Sequence, residues 1–302
     1  VIYGDTDSIF VDFTSKLREA GLTGKSALQK SIEIAIEASN EFKNTLKKPH
    51  DLEYEKTFWP FVILSKKKYV GNLYEFDVNK YKQKSMGIVL KRRDNANIVK
   101  LIYGGIIDIL LSTHNIQEAI EFLTRSLKDL IEGKYKLDDL IITKTLRSSY
   151  KDPSRIAHKV LADRMKHRDP GSAPQVNDRV QYIYVEHDRK NKNLLQGEKI
   201  EDPRYIIENK LNIDYMFYIT NQLMKPICQL LSVALFDIPK CKKKPVDYER
   251  DYRKYLLQFK KNEKKARDKI STLKQDEVQR LLFDDIIRIL NHKGKQTEIT
   301  DF

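Results

Sequence analysis

Cysteine is almost missing from this chain: 302 residues hold only Cys228 and Cys241. Two thiols make neither a disulfide framework nor a CxxC…CxxC zinc ribbon, and they suit a reducing compartment. Long apolar runs are equally scarce. Those around Leu101 to Leu111 and Ile227 to Phe236 fall short of the roughly 20 residues that a membrane helix needs, so no membrane partner is expected. There is no repeat on the scale of solenoids or propellers, and no low-complexity tract beyond short lysine runs. An initiating Met and a signal-peptide pattern are also lacking. The chain starts at Val1 and reads as a fragment whose chemistry depends on residues upstream. Acidic residues are in deficit, 43 against 56 basic ones, and the net charge of +13 points to an anionic partner. At 40% hydrophobic and 33% charged residues, the composition belongs to a folded soluble protein with room for two domains.

Along the chain, VIYGDTDSIFVDF (1–13) reads as two short strands around a polar turn at Gly4 to Asp7, a hairpin with carboxylates at its tip. Residues 26–48 carry Leu28, Ile32, Ala35, Phe42 and Leu46 at helical spacing, with Ser26 placed to cap and Pro49 to stop the helix. The stretch 52–76 is dense in β-branched and aromatic residues and predicts two or three strands, broken at Pro60 and at Lys66 to Lys68. That order gives an α+β layer, a helix lying on an antiparallel sheet. After Arg93 the periods become helical, as in 98–111 and in 116–133, the latter closed by Gly133. A turn-rich loop over 168–179 precedes the alternating strand VQYIYVEH. A helix over 215–236 is kinked or interrupted by Pro226. Residues 278–290 form an amphipathic stretch with Leu281, Leu282, Ile286, Ile289 and Leu290 on one face. From Lys240 onward there are 18 basic and 11 acidic residues, so this last part is disproportionately basic; the KCKKKP run (240–245) reads as a lysine-rich linker in preference to a nuclear-localisation signal or a phosphate patch.

A tight turn carrying Asp5 and Asp7 suits a divalent cation, because Mg²⁺ takes one or two carboxylates plus phosphate oxygens and water. Two-metal phosphoryl transfer needs carboxylates from more than one segment. A lone DxD is equally a solvated turn. The full string YGDTDS between hydrophobic strands is more specific, and it resembles motif C of the family B DNA polymerases. Further stretches follow in that family's order. SKKKYVG (65–71) resembles the KKRY motif, and MGIVLKRRDN (86–95) resembles the segment from palm to thumb. ADRMKHRDPGSAPQVNDRVQYIYV (162–185) and EDPRYIIENKLNIDYMFYITNQLMKPI (201–227) are similar to the thumb of the delta-like branch, which includes polymerases of large DNA viruses. The likeness covers roughly residues 1–236. A strand and DxD also open haloacid dehalogenase-type phosphatases, but Ile9 stands where those place Thr or Val, and no downstream phosphatase pattern follows.

The resemblance implies an α+β fold: the C-terminal part of a palm over 1–93, a mostly α-helical thumb over 94–290 and a tail over 291–302. It implies Asp7 as the metal-ligand aspartate and Asp5 as the motif's other catalytic carboxylate, with Glu53 and Glu55 matching acidic positions near the same site or lying on a solvated strand face. Two Mg²⁺ ions and a deoxynucleoside triphosphate would serve the intact enzyme. Lys66, Lys67, Lys68 and Tyr69 are similar to the primer–template grip; by themselves three lysines also read as a solvated edge that blocks aggregation. Arg92, Arg93, Lys144, Arg147 and Arg168 fall where the family's thumb wraps duplex DNA, and Ser172 offers a hydrogen bond to phosphate or merely shapes a rigid turn. His158, His167 and His187 show no ligand spacing and are structural or exposed.

The last residues, QTEITDF, resemble a sliding-clamp-binding box in which Gln296, Ile299 and Phe302 engage an apolar pocket, although the second aromatic of that box is absent. The family's upstream metal aspartate, its nucleotide-binding helix and its exonuclease carboxylates do not occur in these residues. The chain alone is therefore expected not to polymerise. Expected partners are primer–template DNA, the sliding clamp and the upstream exonuclease, palm and fingers segments. The location is an intracellular site of DNA replication, nuclear or viral. A non-catalytic duplex-binding module and a degenerate homologue are the competing readings. Nucleotide incorporation by the full-length protein, lost on Asp7→Ala, separates them.

Overall fold

The computed structural model describes residues 1–91, 94–187 and 194–300, with side chains except those of Lys91 and 293–300. The chain divides into two compact units, Val1–Ile88 and Val89–Phe302. Together they make the α+β fold with a helical C-terminal region that the sequence predicts.

Unit 1 opens with β1 (Tyr3–Asp5) and β2 (Ser8–Phe10), paired antiparallel in the register Tyr3↔Phe10, Gly4↔Ile9, Asp5↔Ser8. Helices α1 (Thr14–Glu19) and α2 (Gly24–Thr45) follow. Strands β3 (Thr57–Ser65), β4 (Lys68–Tyr74) and β5 (Lys82–Met86) then form an antiparallel sheet in chain order. The apolar face of α2 buries Leu28 and Ile32 with Tyr74, and Ile36, Tyr54 and Val78 complete the cluster. Helix and sheet thus cover one another, as amphipathic layers must.

Three local expectations are corrected. Helix α2 starts two residues before Ser26: its N-cap is Thr23, and the Ser26 hydroxyl donates to the Thr23 carbonyl instead of capping. Pro60 does not break the strand. β3 runs through it with a register shift between Phe58 and Phe61, a bulge being a place where a residue without an N–H is tolerated. The close pairing there requires Gly71, since a Cβ at that position would lie 2.6 Å from the Pro60 carbonyl oxygen. The third strand lies beyond 52–76, in the polar KQKSM segment that pairs Tyr69↔Met86 through Leu73↔Lys82.

Unit 2 is built on two consecutive helices, α3 (Asn97–Thr113) and α4 (Ile116–Ile131). Ile98, Ile102, Ile106 and Leu130 are wholly buried, at spacings that put α3's apolar residues on one stripe. Asn115 caps α4 by accepting from the Gln117 and Glu118 N–H groups. Gly133, at φ +71°, closes α4. Its N–H donates to Leu130 and that of Lys134 to Asp129, the paired bonds of a Schellman ending.

Strands β6 (Ile142–Thr145), β7 (Arg179–Tyr184) and β8 (Ile200–Glu201) make a second three-stranded antiparallel sheet. Helix α5 (Ala157–Arg168) packs against it, and α6 (Pro203–Asn209) follows. The segment expected as a helix over 215–236, kinked or interrupted at Pro226, is α7 (Tyr215–Phe217), a π-helical stretch over Tyr218–Leu223, α8 (Met224–Leu231) and a 3-10 turn over Ser232–Asp237. Pro226 has no N–H for the Gln222 carbonyl, and the wider π turns just before it accommodate that missing bond. Within the stretch, Tyr218 is fully buried; its hydroxyl donates to the Leu140 carbonyl (2.7 Å) and accepts from the Tyr184 N–H (3.2 Å).

Helices α9 (Pro245–Gln258), α10 (Glu263–Leu282) and α11 (Asp284–Thr300) finish the chain. The stretch 278–290 is therefore not one helix face. It breaks at Phe283, which is wholly buried along with Val278, while Ile289 is 44% exposed. No helix among the described residues is long and apolar enough to cross a membrane.

Candidate functional site

The two-residue loop of the first hairpin, Thr6–Asp7, carries the site. Strand alternation places Tyr3 and Asp5 on one face of β1, and that face meets the Lys66–Lys67 turn between β3 and β4. The Tyr3 hydroxyl accepts from the Lys67 N–H at 3.0 Å. The Lys67 Nζ lies 3.4 Å from the Asp5 carboxylate. Behind these polar contacts, Tyr3, Phe10, Phe58, Phe61 and Tyr69 form a ring cluster with neighbouring centroids 4.9–6.4 Å apart. Edge and offset contacts of this kind add about 0.5–1.5 kcal/mol per pair beyond area burial. The hairpin, too short to be stable alone, is held by those rings.

The two aspartates are consequently unequal. Asp5 is half-buried and paired with Lys67, whereas Asp7 is exposed at the tip and its carboxylate meets no partner among the described residues. Thr6 sits at φ +44°, a conformation that costs a β-branched residue energy and that clusters at functional sites. Carboxylate oxygens are the hard ligands a divalent cation takes, and an exposed carboxylate on a fixed turn can supply one. Among the described residues no group of three His, Cys, Asp or Glu is gathered that could hold a metal.

Glu53 and Glu55 are both engaged by lysines, Glu53 with Lys43 at 3.3 Å and Glu55 with Lys56. Burial pushes the Tyr69 hydroxyl above its ordinary pKa, with Lys56 opposing and Tyr3, Glu55 and Asp5 adding to the rise. Glu55 and Asp5 thus both act on the same ring. Tyr69 itself is only 7% exposed, a member of the aromatic cluster, while Lys66, Lys67 and Lys68 are exposed beside it.

Unit 2 places the other basic residues differently from one another. Arg168 makes two hydrogen bonds to Glu201, at 3.0 and 2.9 Å, and its guanidinium stacks 3.5 Å over Tyr205. Arg164 adds a second cation 3.3 Å from Glu201. Glu201 is buried, and this ion cluster joins the end of α5 to β8 and α6. Ser172 is exposed in the 3-10 turn Pro170–Ser172, which Asp169 caps by accepting from the Gly171 N–H. Lys144 pairs with Asp94 at 2.8 Å. Arg147 is exposed, and its guanidinium has no partner among the described residues. Arg92 and Arg93 lie outside the described residues.

The family model for DNA polymerase family B matches residues 1–234. The chain belongs to the family B DNA polymerases. This polymerase chain is 68% identical over 303 residues to the DNA polymerase of Pyramimonas orientalis virus, covering all of the chain and 25% of that protein. It is 48% identical over 239 residues to the DNA polymerase of Acanthamoeba polyphaga mimivirus, across 78% of the chain and 14% of that protein. It is 35% identical over 238 residues to the DNA polymerase delta catalytic subunit of Caenorhabditis elegans, across 78% of the chain and 21% of that protein. The chain spans a quarter or less of the length of these curated relatives.

Of the tail of this polymerase chain, Gln296 and Ile299 fall within α11, but their side chains, and Phe302 altogether, lie outside the described residues. Sequence reasoning missed Tyr3, although its place two residues before Asp5 on one strand puts it on the same face.

Proposed function

We propose that this chain is the C-terminal part of a replicative DNA-directed DNA polymerase, with unit 1 as the end of the palm and unit 2 as the thumb. One observation carries the catalytic half of the reading. In a family B chain, the YGDTDS loop presents the Asp7 carboxylate free while Lys67 holds Asp5 and fixes the hairpin. Asp7 binds metal, together with a carboxylate from another segment of the intact protein. Mg²⁺ bound there would neutralise charge on the phosphates of the incoming deoxynucleoside triphosphate as the primer 3′-hydroxyl attacks. The residues of this chain orient and bind. Asp5 and Tyr3 anchor the basic turn, Lys66 and Lys68 meet the primer–template backbone, and Arg147, Lys144 and Ser172 meet the duplex further along. The chain by itself binds duplex DNA without extending it, since its described residues gather too few carboxylates for two ions.

The remaining partners follow from the same reading: the exonuclease, palm and fingers segments of the polymerase, and a sliding clamp engaged by Gln296, Ile299 and Phe302. The protein acts at an intracellular site of DNA replication. The test is primer extension by the full-length polymerase. Asp7→Ala is expected to lower extension by at least about a thousandfold, the scale of losing a principal electrostatic contributor, with primer–template affinity kept. Extension at the wild-type rate by that variant would refute the catalytic assignment and leave a duplex-binding module.

A further inference from the structure

Between the 3-10 turn Ser232–Asp237 and α9, just past the residues matched to the family, Lys240, Lys242, Lys243 and Lys244 crowd one short linker. All four are exposed. Beside the linker, the rings of Phe236 and Tyr248 meet edge-on with centroids 5.8 Å apart. Lys274, from α10, holds its ammonium 5.4 Å from the centre of the first ring and 5.5 Å from that of the second, and Lys243 stands 5.3 Å from the Tyr248 centre. Neither lysine joins an ion pair among the described residues. Asp247 accepts from the Lys244 N–H at 2.9 Å and pairs with Arg250 at 3.2 Å, while buried Glu277 holds Arg280 at 2.6 Å, with Lys243 adding a weaker attraction. The Tyr248 hydroxyl is buried without a hydrogen-bond partner. Apolar surface is open here too: Phe236 is 38% exposed, and Val233, in the same turn, 60%.

We propose that this surface docks an acidic segment of a partner protein, one that carries an aromatic or aliphatic side chain between its carboxylates. Phe236 and Val233 receive the apolar side chain, and Lys242, Lys243 and Lys274 receive the carboxylates. Charge complementarity selects the sign of the partner. The exposed apolar pair selects its class: a phosphate backbone takes up cations but gains nothing from a valine and a phenylalanine in water, whereas a protein interface is built from a buried apolar anchor inside a charged rim. An ammonium held against a ring is also set beside apolar surface, where a carboxylate next to a hydrophobic side chain meets both at once. The surface is separate from Gln296, Ile299 and Phe302, and the inference is independent of the catalytic assignment of Asp7.

The test is fluorescence anisotropy of the full-length polymerase with a labelled peptide in which Asp–Glu pairs alternate with Leu and Phe, set against a peptide of equal charge with Ser in place of Leu and Phe. The wild type is expected to bind the first at least about tenfold more tightly, the scale of burying one apolar side chain. Val233→Ser changes a side chain already mostly in water, so it keeps the fold, and it should lower the affinity for the first peptide while leaving the second unchanged; Phe236→Ser should do the same more strongly. Lys242→Glu combined with Lys243→Glu should weaken both peptides, by a factor that shrinks as salt is raised. Equal wild-type affinity for the two peptides, or binding of neither, would overturn the proposal. So would wild-type affinity in both serine variants, which would put the peptide elsewhere. Primer–template duplex that displaces the first peptide, and that loses as much affinity as the peptide does in the double lysine variant, would give the surface to DNA and overturn it too. Primer extension by the wild type stands apart from all of these outcomes.

Discussion

Unit 2 encloses its core and unit 1 does not. Ile98, Ile102, Ile106, Leu130 and Leu161 in unit 2 have no accessible surface, whereas the best-buried side chain of unit 1 is Val70 at 1%. Unit 1 leaves Ile2, Ile9, Val11, Phe76 and Tyr81 exposed. The reason is geometric. Unit 2 packs helices on helices and on a sheet, and so buries several faces at once, while unit 1 has one helix on one sheet and a hairpin held by rings. Unit 1 is thus fixed by a few identifiable contacts, and unit 2 by a broad aliphatic interior. Regions with few buried contacts open at lower free energy than the global transition, so single substitutions should act locally in unit 1 and globally in unit 2.

The largest effect is expected at Glu201. Glu201→Ala leaves Arg164 and Arg168 facing each other across a buried position without their counter-charge, a change that costs about 3–5 kcal/mol when a buried pair is broken. Urea unfolding followed by a unit 2 probe should show the midpoint fall, with unit 1 unaffected. A loss below about 1 kcal/mol would mean that the aliphatic core alone sets unit 2's stability. Next comes Gly87→Ala in unit 1. Gly87 has φ +63°, and an added Cβ would meet the Lys67 carbonyl oxygen at 2.1 Å. Backbone must move, at a cost of about 1–3 kcal/mol, and amide exchange at Lys67 and Tyr69 should accelerate while α3 and α4 stay protected. Smaller still is Tyr3→Phe, which removes the acceptor of the Lys67 N–H and nothing from the ring cluster. About 1 kcal/mol is at stake, read as a roughly fivefold faster exchange of that one amide. Equal acceleration across unit 2 in either variant would break the contrast between local and global response.

What could be read in advance follows the same division. The hairpin was legible because aromatic and β-branched residues flank GDTD, and the α2 and α4 faces because their apolar spacing repeats. Strand β5 was not, since KQKSM has no apolar alternation and forms only because β4 offers it an edge. Pro60 reads as a breaker until Gly71 opposite it makes room for a bulge. Phe283 hides inside an apolar stretch whose break is set by packing. At the site, the aspartates and the lysine turn could be named, but not that Lys67 would take Asp5 and leave Asp7 free. Nothing local announces that Glu201, 33 residues further on, pairs with Arg168. Long-range pairing decides which charges are spent inside the fold, and sequence patterns report only the charges.

The smallest effect tests, through pH, the cleft of unit 2 that Lys144, Arg147, Tyr150, His158 and Arg179 line. Burial first, then Lys144, holds the His158 imidazole below its ordinary 6.5; a backbone hydrogen bond at Thr145 opposes this and Arg147 adds to the lowering. Tyr150 lies against its Nε2, and Asp94 and Arg179 are the other charged groups lining the cleft. An unfolded chain takes up the proton at the ordinary value while the folded chain resists it, so below that value the unfolded state binds more protons. The stability owed to neutral His158 is therefore complete above about pH 6.5 and is lost as pH falls through the lower folded value. Melting of unit 2 should drop between about pH 7.5 and 5.5 more in the wild type than in His158→Gln, by less than about 2 °C. A wild type that gains stability relative to His158→Gln on acidification would reverse the sign and put the carboxylate of Asp94, rather than the cations, in control of the imidazole.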